Sequence, residues 1–141
     1  MSRSVSVERR NAVRERAQSS CEYCLVPDSR AFFPHEPDHI IAEQHGGETT
    51  LDNLALSCIQ CNRAKGTNIA SVDPGTRQAV FLFHPRRDIW AEHFKLEGTR
   101  IVGLSAVGRA TGTLLKFNEP ERIEFRATLA RAGYYPPRGG A

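Results

Sequence analysis

The spacing of apolar residues predicts one weakly amphipathic helix followed by two short extended segments in the first half of the chain. Residues 7–18 carry a sparse apolar stripe at Ala12, Val13 and Ala17, which predicts a helix with arginines on its outer face. The segment AFFPHEPDHII is expected to be extended, because its two prolines exclude a helix and its paired isoleucines favour a strand. The segment NLALS predicts a second short strand.

A loop and a short helix complete this region. The polar segment AEQHGGETT predicts a loop in which Gly46 and Gly47 supply backbone freedom. The segment CNRAKGTNI is expected to open a short helix that ends at Gly66 or Asn68. The predicted order over residues 35–68 is therefore strand, loop, strand and helix.

The second half of the chain has stronger periodicity. QAVFLFHP and RIVGLS predict strands, and SAVGRATGTLLKF predicts a helix. In NEPERIEFRATLARAG, Asn118 is the expected N-cap of a last helix, with Glu121 completing a capping box and Gly133 ending the helix. The apolar face of the preceding helix consists of Val107, Ala110, Thr111, Leu114 and Leu115.

Length and composition fit one α+β domain. A chain of 141 residues with 40% apolar and 25% charged residues is ordinary for a folded protein. We expect a single domain over residues 1–141, with an N-terminal helix in 1–20, a central motif region in 21–69, a C-terminal strand-plus-helix extension in 70–135 and a loose tail in 136–141. The second half is expected to pack against the motif region.

Charge and hydropathy limit the partners and the compartment that we expect for the protein. The net charge of +3 is too small to establish a nucleic-acid partner, although the N-terminal segment carries five arginines against two glutamates. No apolar run reaches membrane-spanning length, and the N-terminus is too charged for a signal peptide. We therefore expect a cytoplasmic protein without a membrane partner, whose thiols stay reduced.

The four cysteines form two Cys-x-x-Cys pairs, Cys21 with Cys24 and Cys58 with Cys61. Two such pairs complete one tetrahedral four-thiolate zinc site, which is closed and therefore structural rather than catalytic. The alternatives are two disulfides or four unrelated buried thiols. The reducing compartment and the doublet pattern disfavour both alternatives.

The motifs DHI, GG, DNL and CIQCNRAK, in this order within residues 21–69, resemble the HNH endonuclease family in its compact bacterial form with a four-cysteine zinc site. The resemblance implies the ββα-metal, or His-Me finger, fold, in which two strands and a helix hold one divalent ion. The predicted order of strand, loop, strand and helix agrees with that fold.

The resemblance also implies roles for four residues. His39 matches the general base, Asp38 a ligand of the catalytic ion, Asn53 the residue that ties the loop and orients the base, and Asn62 the third motif position, which binds the ion. The chemistry agrees, because neutral imidazole, with a reference pKa of about 6.5, is a suitable base near neutral pH. Aspartate and asparagine oxygens form a hard site, which predicts Mg²⁺ or Mn²⁺.

One geometric requirement accompanies these roles. Asp38 and His39 are neighbours on a strand, where successive side chains point to opposite faces, so we expect a local bulge or twist to re-aim one of them. Glu36, two positions earlier, is expected either to support the site or to be a solvated carboxylate.

Three further residues are candidates for nucleic-acid contacts: Arg63, Lys65 and His45, with simple solvated charge as the competing interpretation. The expected substrate is double-stranded DNA, with RNA left open, and the expected state is a monomer or weak dimer whose single site nicks one strand. The alternative hypothesis is a non-catalytic, zinc-containing module that binds DNA or another protein. Such a module would not need His39 together with Asp38 and Asn62.

Overall fold

Five α-helices and six short strands form the secondary structure of residues 5–137, the part of the chain that this computed structural model describes. In chain order they are α1 (Val7–Arg16), β1 (Glu36–His39), β2 (Leu54–Ser57), α2 (Ile59–Lys65), β3 (Ala70–Val72), β4 (Ala79–Phe81), α3 (Trp90–His93), β5 (Phe94–Glu97), β6 (Arg100–Gly103), α4 (Ala106–Leu114) and α5 (Pro120–Arg131). The strands form three two-stranded antiparallel sheets, β1–β2, β3–β4 and β5–β6. The predicted mixture of helices and small strands is confirmed.

The described residues leave two sequence expectations partly untested. Residues 138–141 of the predicted tail and residues 1–4 of the N-terminal segment lie outside the description. Within residues 5–137, each helix falls short of the length and apolar character that crossing a bilayer requires.

The β1–β2 hairpin and α2 form the centre of the motif region. All four residues of β2 are buried, and Leu54 and Leu56 pack with Val13 of α1. Helix α2 begins at Ile59, two residues before its predicted start, because the Cys58 sulfur caps it by accepting the backbone N–H of Cys61 at 3.4 Å. The helix ends at Gly66 as predicted, where φ is +54° and a side chain would be strained.

Helix α1 is held to this hairpin by its arginines. Its predicted start is confirmed and it ends two residues early, at Arg16, which donates hydrogen bonds to the Leu51 and Leu54 carbonyls. Arg10 forms an ion pair with Glu36 at 2.8 Å, and Arg14 pairs with Asp28. The arginines of α1 are exposed or half-buried, as the outer face predicts, and these three also have partners within the protein.

The C-terminal extension packs helix α4 closely on β6. A Cβ atom at Gly103 of β6 would lie 2.5 Å from the Arg109 backbone nitrogen of α4, so this approach requires glycine. The predicted buried face of α4 is confirmed at Ala110, Thr111 and Leu115, each fully buried. The sequence interpretation missed β3, β5 and α3, which are only three or four residues long.

The predicted capping role of Asn118 is wrong. Glu119 occupies the N-cap of α5 without a side-chain hydrogen bond, and Pro120 begins the helix. The Asn118 amide instead accepts from the Ile101 N–H at 2.9 Å and donates to the Ile101 carbonyl at 2.8 Å. This pairing ties α5 to β6, and Gly133, with φ of +84°, follows the helix end as predicted.

The two halves of the chain share one core. The Trp90 Nε1–H donates to the Tyr23 carbonyl at 2.9 Å, and the Tyr135 hydroxyl donates to the Cys24 carbonyl at 2.8 Å. The core combines the first cysteine pair with aromatic side chains of the extension, including Phe83. The expectation that the second half packs against the motif region is confirmed.

Candidate active site and metal centre

The four cysteines meet in space as the sequence predicts. Their sulfur atoms lie within 4.8 Å of one another, all four residues are buried, and none forms a disulfide. The distance from Cys24 Sγ to Cys58 Sγ is 3.7 Å, and a tetrahedral ion with Zn–S bonds of about 2.3 Å implies S–S separations near 3.8 Å. The cluster therefore supports zinc binding.

Backbone N–H groups and neighbouring thiols contact the sulfur atoms of the cluster. The N–H groups of Cys24 and Cys61 donate to the sulfurs of Cys21 and Cys58, at 3.5 and 3.4 Å. Burial raises the pKa of the Cys21 and Cys61 thiols, whereas hydrogen bonds with the other three thiols lower the pKa of Cys24. An ion that binds all four thiolates removes the cost of burying their charge.

A buried arginine accompanies the cysteines. Arg122 Nη2 lies 3.1 Å from Cys61 Sγ and 3.9 Å from Cys58 Sγ, while Nη1 donates to the Leu115 carbonyl at 2.6 Å. Burial lowers the pKa of Arg122, but the thiolates outweigh it and the net shift is upward. Sequence reasoning missed this residue, although Arg122 and Arg126 share one face of α5 with the buried Leu129.

Three of the four residues expected at the catalytic site border one cleft, and Asn53 is not among its lining residues. Asp38, His39 and Asn62 line a cavity of about 320 Å³ between the end of β1 and α2, together with Glu43 and Thr67. The strand register runs without interruption from Glu36 to His39, so the expected bulge in β1 is absent. His39 is the last residue of the strand, and the cleft lies around the strand end, where both side chains reach it.

The imidazole of His39 is fixed by a threonine. His39 Nε2 lies 2.9 Å from Thr49 Oγ1, and His39 is buried. Within residues 5–137, His39 Nδ1 makes no hydrogen bond. If Nε2 donates to Thr49, Nδ1 keeps its lone pair and is the nitrogen that can accept a proton. The role of Thr49 was missed, because no spacing rule links a loop hydroxyl to this histidine.

A buried lysine stands beside Asp38. Lys65 Nζ lies 3.1 Å from Asp38 Oδ2, in an ion pair whose angles fall outside hydrogen-bond geometry, and it donates to the His39 carbonyl at 3.0 Å. Burial raises the pKa of Asp38, and the charge of Lys65 opposes that rise. The side chain of Lys65 is only 2% exposed, so the prediction that it contacts a DNA backbone is wrong.

Asn53 closes the loop between the two strands. Its Oδ1 accepts the Ile41 N–H, and its Nδ2 donates to the carbonyls of Ile41 and Glu48, all at 2.9 Å. A Cβ atom at Gly47 would lie 1.7 Å from the Ile41 carbonyl oxygen, so the loop requires glycine there. The loop that presents Thr49 to His39 is thus held at both ends.

The remaining candidates do not line the cleft. Arg63 and His45 are exposed, on α2 and on the loop respectively. Glu36 is exposed and pairs with Arg10 rather than with the cleft residues. His35 is fully buried, with Nε2 2.8 Å from the Val26 carbonyl oxygen, as expected of a packing histidine.

Comparison with known proteins supports the motif region. Residues 21–68, about a third of the chain, match the family model described as HNH endonuclease. The resemblance to this family is thereby confirmed, and it indicates nuclease activity on a nucleic acid. No curated protein and no solved structure matches the chain.

Proposed function

We propose that this protein is a metal-dependent HNH-type endonuclease that hydrolyses phosphodiester bonds in DNA. The observation that carries the proposal is the shared cleft, in which an imidazole, a carboxylate and an amide meet within the segment that matches the family model. The β1–β2 hairpin followed by α2 is the arrangement expected of a ββα-metal core.

His39 is the proposed general base. The hydrogen bond to Thr49 holds the ring and leaves Nδ1 to take the proton from the attacking water. Asn53 supports this geometry indirectly, because it closes the loop that carries Thr49. A misplaced imidazole would lose the geometry that proton transfer from the water requires.

Asp38 and Asn62 are the proposed ligands of the catalytic ion. Asp38 and Asn62 border the same cleft, and their carboxylate and amide oxygens fit Mg²⁺ or Mn²⁺. When bound, the ion supplies charge stabilisation for the phosphate and the leaving oxygen. Lys65 opposes the rise in the pKa of Asp38 that burial causes and so favours the ionised carboxylate.

The zinc site is proposed to brace the catalytic helix. Helix α2 starts inside the cysteine cluster, with Cys58 as its N-cap and Cys61 in its first turn. Asn62 follows Cys61 directly, so the position of the sulfurs determines where its amide lies. Four thiolates leave a zinc ion no open position, which assigns it a structural role.

Double-stranded DNA is the proposed substrate, nicked by a monomer or weak dimer. Arg63 is exposed on α2 outside the cleft lining and is a candidate contact for the DNA backbone beyond the cleft. His45 is exposed on the loop beside the cleft and is a second candidate contact. Contacts of this kind position the substrate without reading its sequence.

Plasmid nicking in Mg²⁺ or Mn²⁺ tests the proposal. We expect nicking by the wild-type protein and loss of nicking in His39→Ala, with zinc content and circular dichroism unchanged. His93→Ala is the matched control, since His93 is half-buried and lies outside the motif region. Equal nicking by wild type and His39→Ala would refute the catalytic assignment. Salt-dependent DNA binding without cleavage in either ion would favour a non-catalytic module.

A further inference from the structure

A second cavity lies on another face of α2. It has a volume of about 370 Å³ and is enclosed by the loop at residues 31–33, the start of α2 and helix α5. Ile59, Gln60 and Arg63 border it, whereas Asn62 and Gly66 border the candidate active site. An α-helix with its side chains is about 10–12 Å across, so one bound DNA could reach both cavities.

Two adjacent phenylalanines form the outer wall of this cavity. Phe32 is 97% exposed and Phe33 is 58% exposed. A single exposed apolar side chain is common, but two exposed aromatic rings at the mouth of an apolar cavity are typical of a binding surface. Aromatic side chains of this kind provide platforms on which nucleobases stack, largely independently of sequence.

The cavity combines cationic side chains with an edge of the cysteine cluster, because Cys24 and Cys58 also border it and Arg122 is already paired with the thiolates. Three arginines line it, Arg63, Arg122 and Arg126, and no aspartate or glutamate does. Arg126 is 1% exposed; its Nε donates to the Thr99 carbonyl and its Nη2 to the Phe117 carbonyl, while Nη1 is buried without a hydrogen-bond partner. A buried guanidinium nitrogen normally has an acceptor, so the cavity fits a ligand that supplies one.

We propose that this cavity receives an unpaired nucleobase of the DNA substrate, with guanine preferred. The ring would stack on Phe32 or Phe33 while its acceptor atoms face the arginines. Guanine presents two acceptors, O6 and N7, on one edge, and arginine is the side chain that most often pairs with them. A cavity of this volume falls within the range of about 300–1,000 Å³ that is typical of ligand sites.

This inference rests on the proposed function, because the nucleobase belongs to the DNA that the nuclease would cleave. The lining has three arginines and no carboxylate, and Arg63 is exposed with its charge available to a ligand, which is why we assign DNA, a polyanion, rather than a protein partner. An unpaired base costs less to extrude than a paired one, so the preferred DNA is one with a mismatched guanine.

Fluorescence anisotropy with short duplexes tests the assignment. Full-length His39→Ala protein, with zinc bound, is titrated with a fully paired duplex and with the same duplex carrying one mismatched guanine. We expect tighter binding of the mismatched duplex. The double substitution Phe32→Ala and Phe33→Ala should weaken that binding by about fivefold or more, because stacking contributes about 1–3 kcal/mol per base.

Two comparisons separate stacking from other effects. The Phe variants remove no charge, so the slope of log affinity against log salt concentration should be unchanged. Arg63→Gln removes one charge and should make that slope shallower by the amount expected for about one lost phosphate contact. Phe33→Leu keeps an apolar side chain without the ring and should share the defect. Phe81→Ala is the matched control, because Phe81 is 72% exposed on β4, outside the cavity lining.

The outcomes also distinguish this inference from the proposed nuclease function. Loss of the mismatch preference in the Phe variants supports the base site even if the wild-type protein fails to nick DNA. Unchanged affinity in the Phe variants, or no preference for the mismatched duplex in the His39→Ala protein, overturns the base site even if nicking is confirmed.

Discussion

Replacing Lys65 with methionine removes one buried charge from the centre of the candidate active site. Methionine keeps most of the apolar stem, so the change isolates the ammonium group. Lys65 is almost fully buried and lies 3.1 Å from an Asp38 side chain that is only 11% exposed. The variant therefore leaves a buried carboxylate without its counter-charge, and the His39 carbonyl without the donor that it has at 3.0 Å.

The expected loss in the free energy of unfolding is about 3–5 kcal/mol, the usual cost of removing one partner from a buried ion pair. The lost hydrogen bond to the His39 carbonyl is part of that figure, because both interactions depend on one ammonium group. Since domains are stable by about 5–15 kcal/mol, a loss of this size is a large fraction of the total.

The loss should depend on pH in a defined direction. Burial raises the pKa of Asp38 above its ordinary value, and Lys65 opposes that rise, so the pKa climbs further in the variant. The folded variant then binds the Asp38 proton more tightly than the unfolded chain does, and its stability falls as pH rises through the raised pKa. Lys65→Met should therefore lose more stability at pH 8 than near the ordinary aspartate pKa of about 3.9.

Urea unfolding at a fixed zinc concentration measures this loss. Adding Asp38→Asn to Lys65→Met should restore part of the stability, because the unpaired charge is then gone. Lys95→Met, which removes an exposed partner of Glu97, is the matched control and should change stability by less than about 1 kcal/mol. The reasoning is refuted if Lys65→Met loses no more than this control at pH 8, or if the double variant recovers nothing.

Three further predictions concern the zinc site and the loop. Strong chelation should release zinc and unfold the domain, as followed together by a colorimetric zinc assay and circular dichroism; a fold unchanged after complete release would contradict the structural role. Arg122→Met should speed zinc release to a chelator, because the thiolates lose a charge 3.1 Å away, whereas Arg131→Met on the exposed side of α5 should not. Asn53→Ala should destabilise the protein by about 2–4 kcal/mol through its three lost hydrogen bonds and reduce nicking, while Asn68→Ala, with one such bond, should cost about 1 kcal/mol. Equal losses of stability in Asn53→Ala and Asn68→Ala would contradict the role of Asn53 in closing the loop.

The sequence by itself determined the features that depend on near neighbours. The spacing within each Cys-x-x-Cys pair predicted one zinc cluster, and the four sulfurs do lie together. Helix α2 and its end at Gly66 followed from local pattern and from the conformational freedom of glycine. The apolar face of α4 followed from helical spacing, and its buried residues lie where that spacing predicted.

Tertiary structure alone decided which polar residues meet across the chain. Lys65 contacts residues 26 and 27 positions away, and Arg122 contacts Cys61 after 61 positions, so no local rule could place either charge in the interior. Asn118 had the spacing of a helix cap but pairs with Ile101, because a strand edge brought closer by packing offered both a donor and an acceptor. The two exposed phenylalanines could not be recognised as part of a candidate binding site from the sequence, because the three arginines that line the same cavity come from α2 and α5. A short-range pattern limits which elements form, whereas the burial of a charge depends on which surfaces those elements bring together.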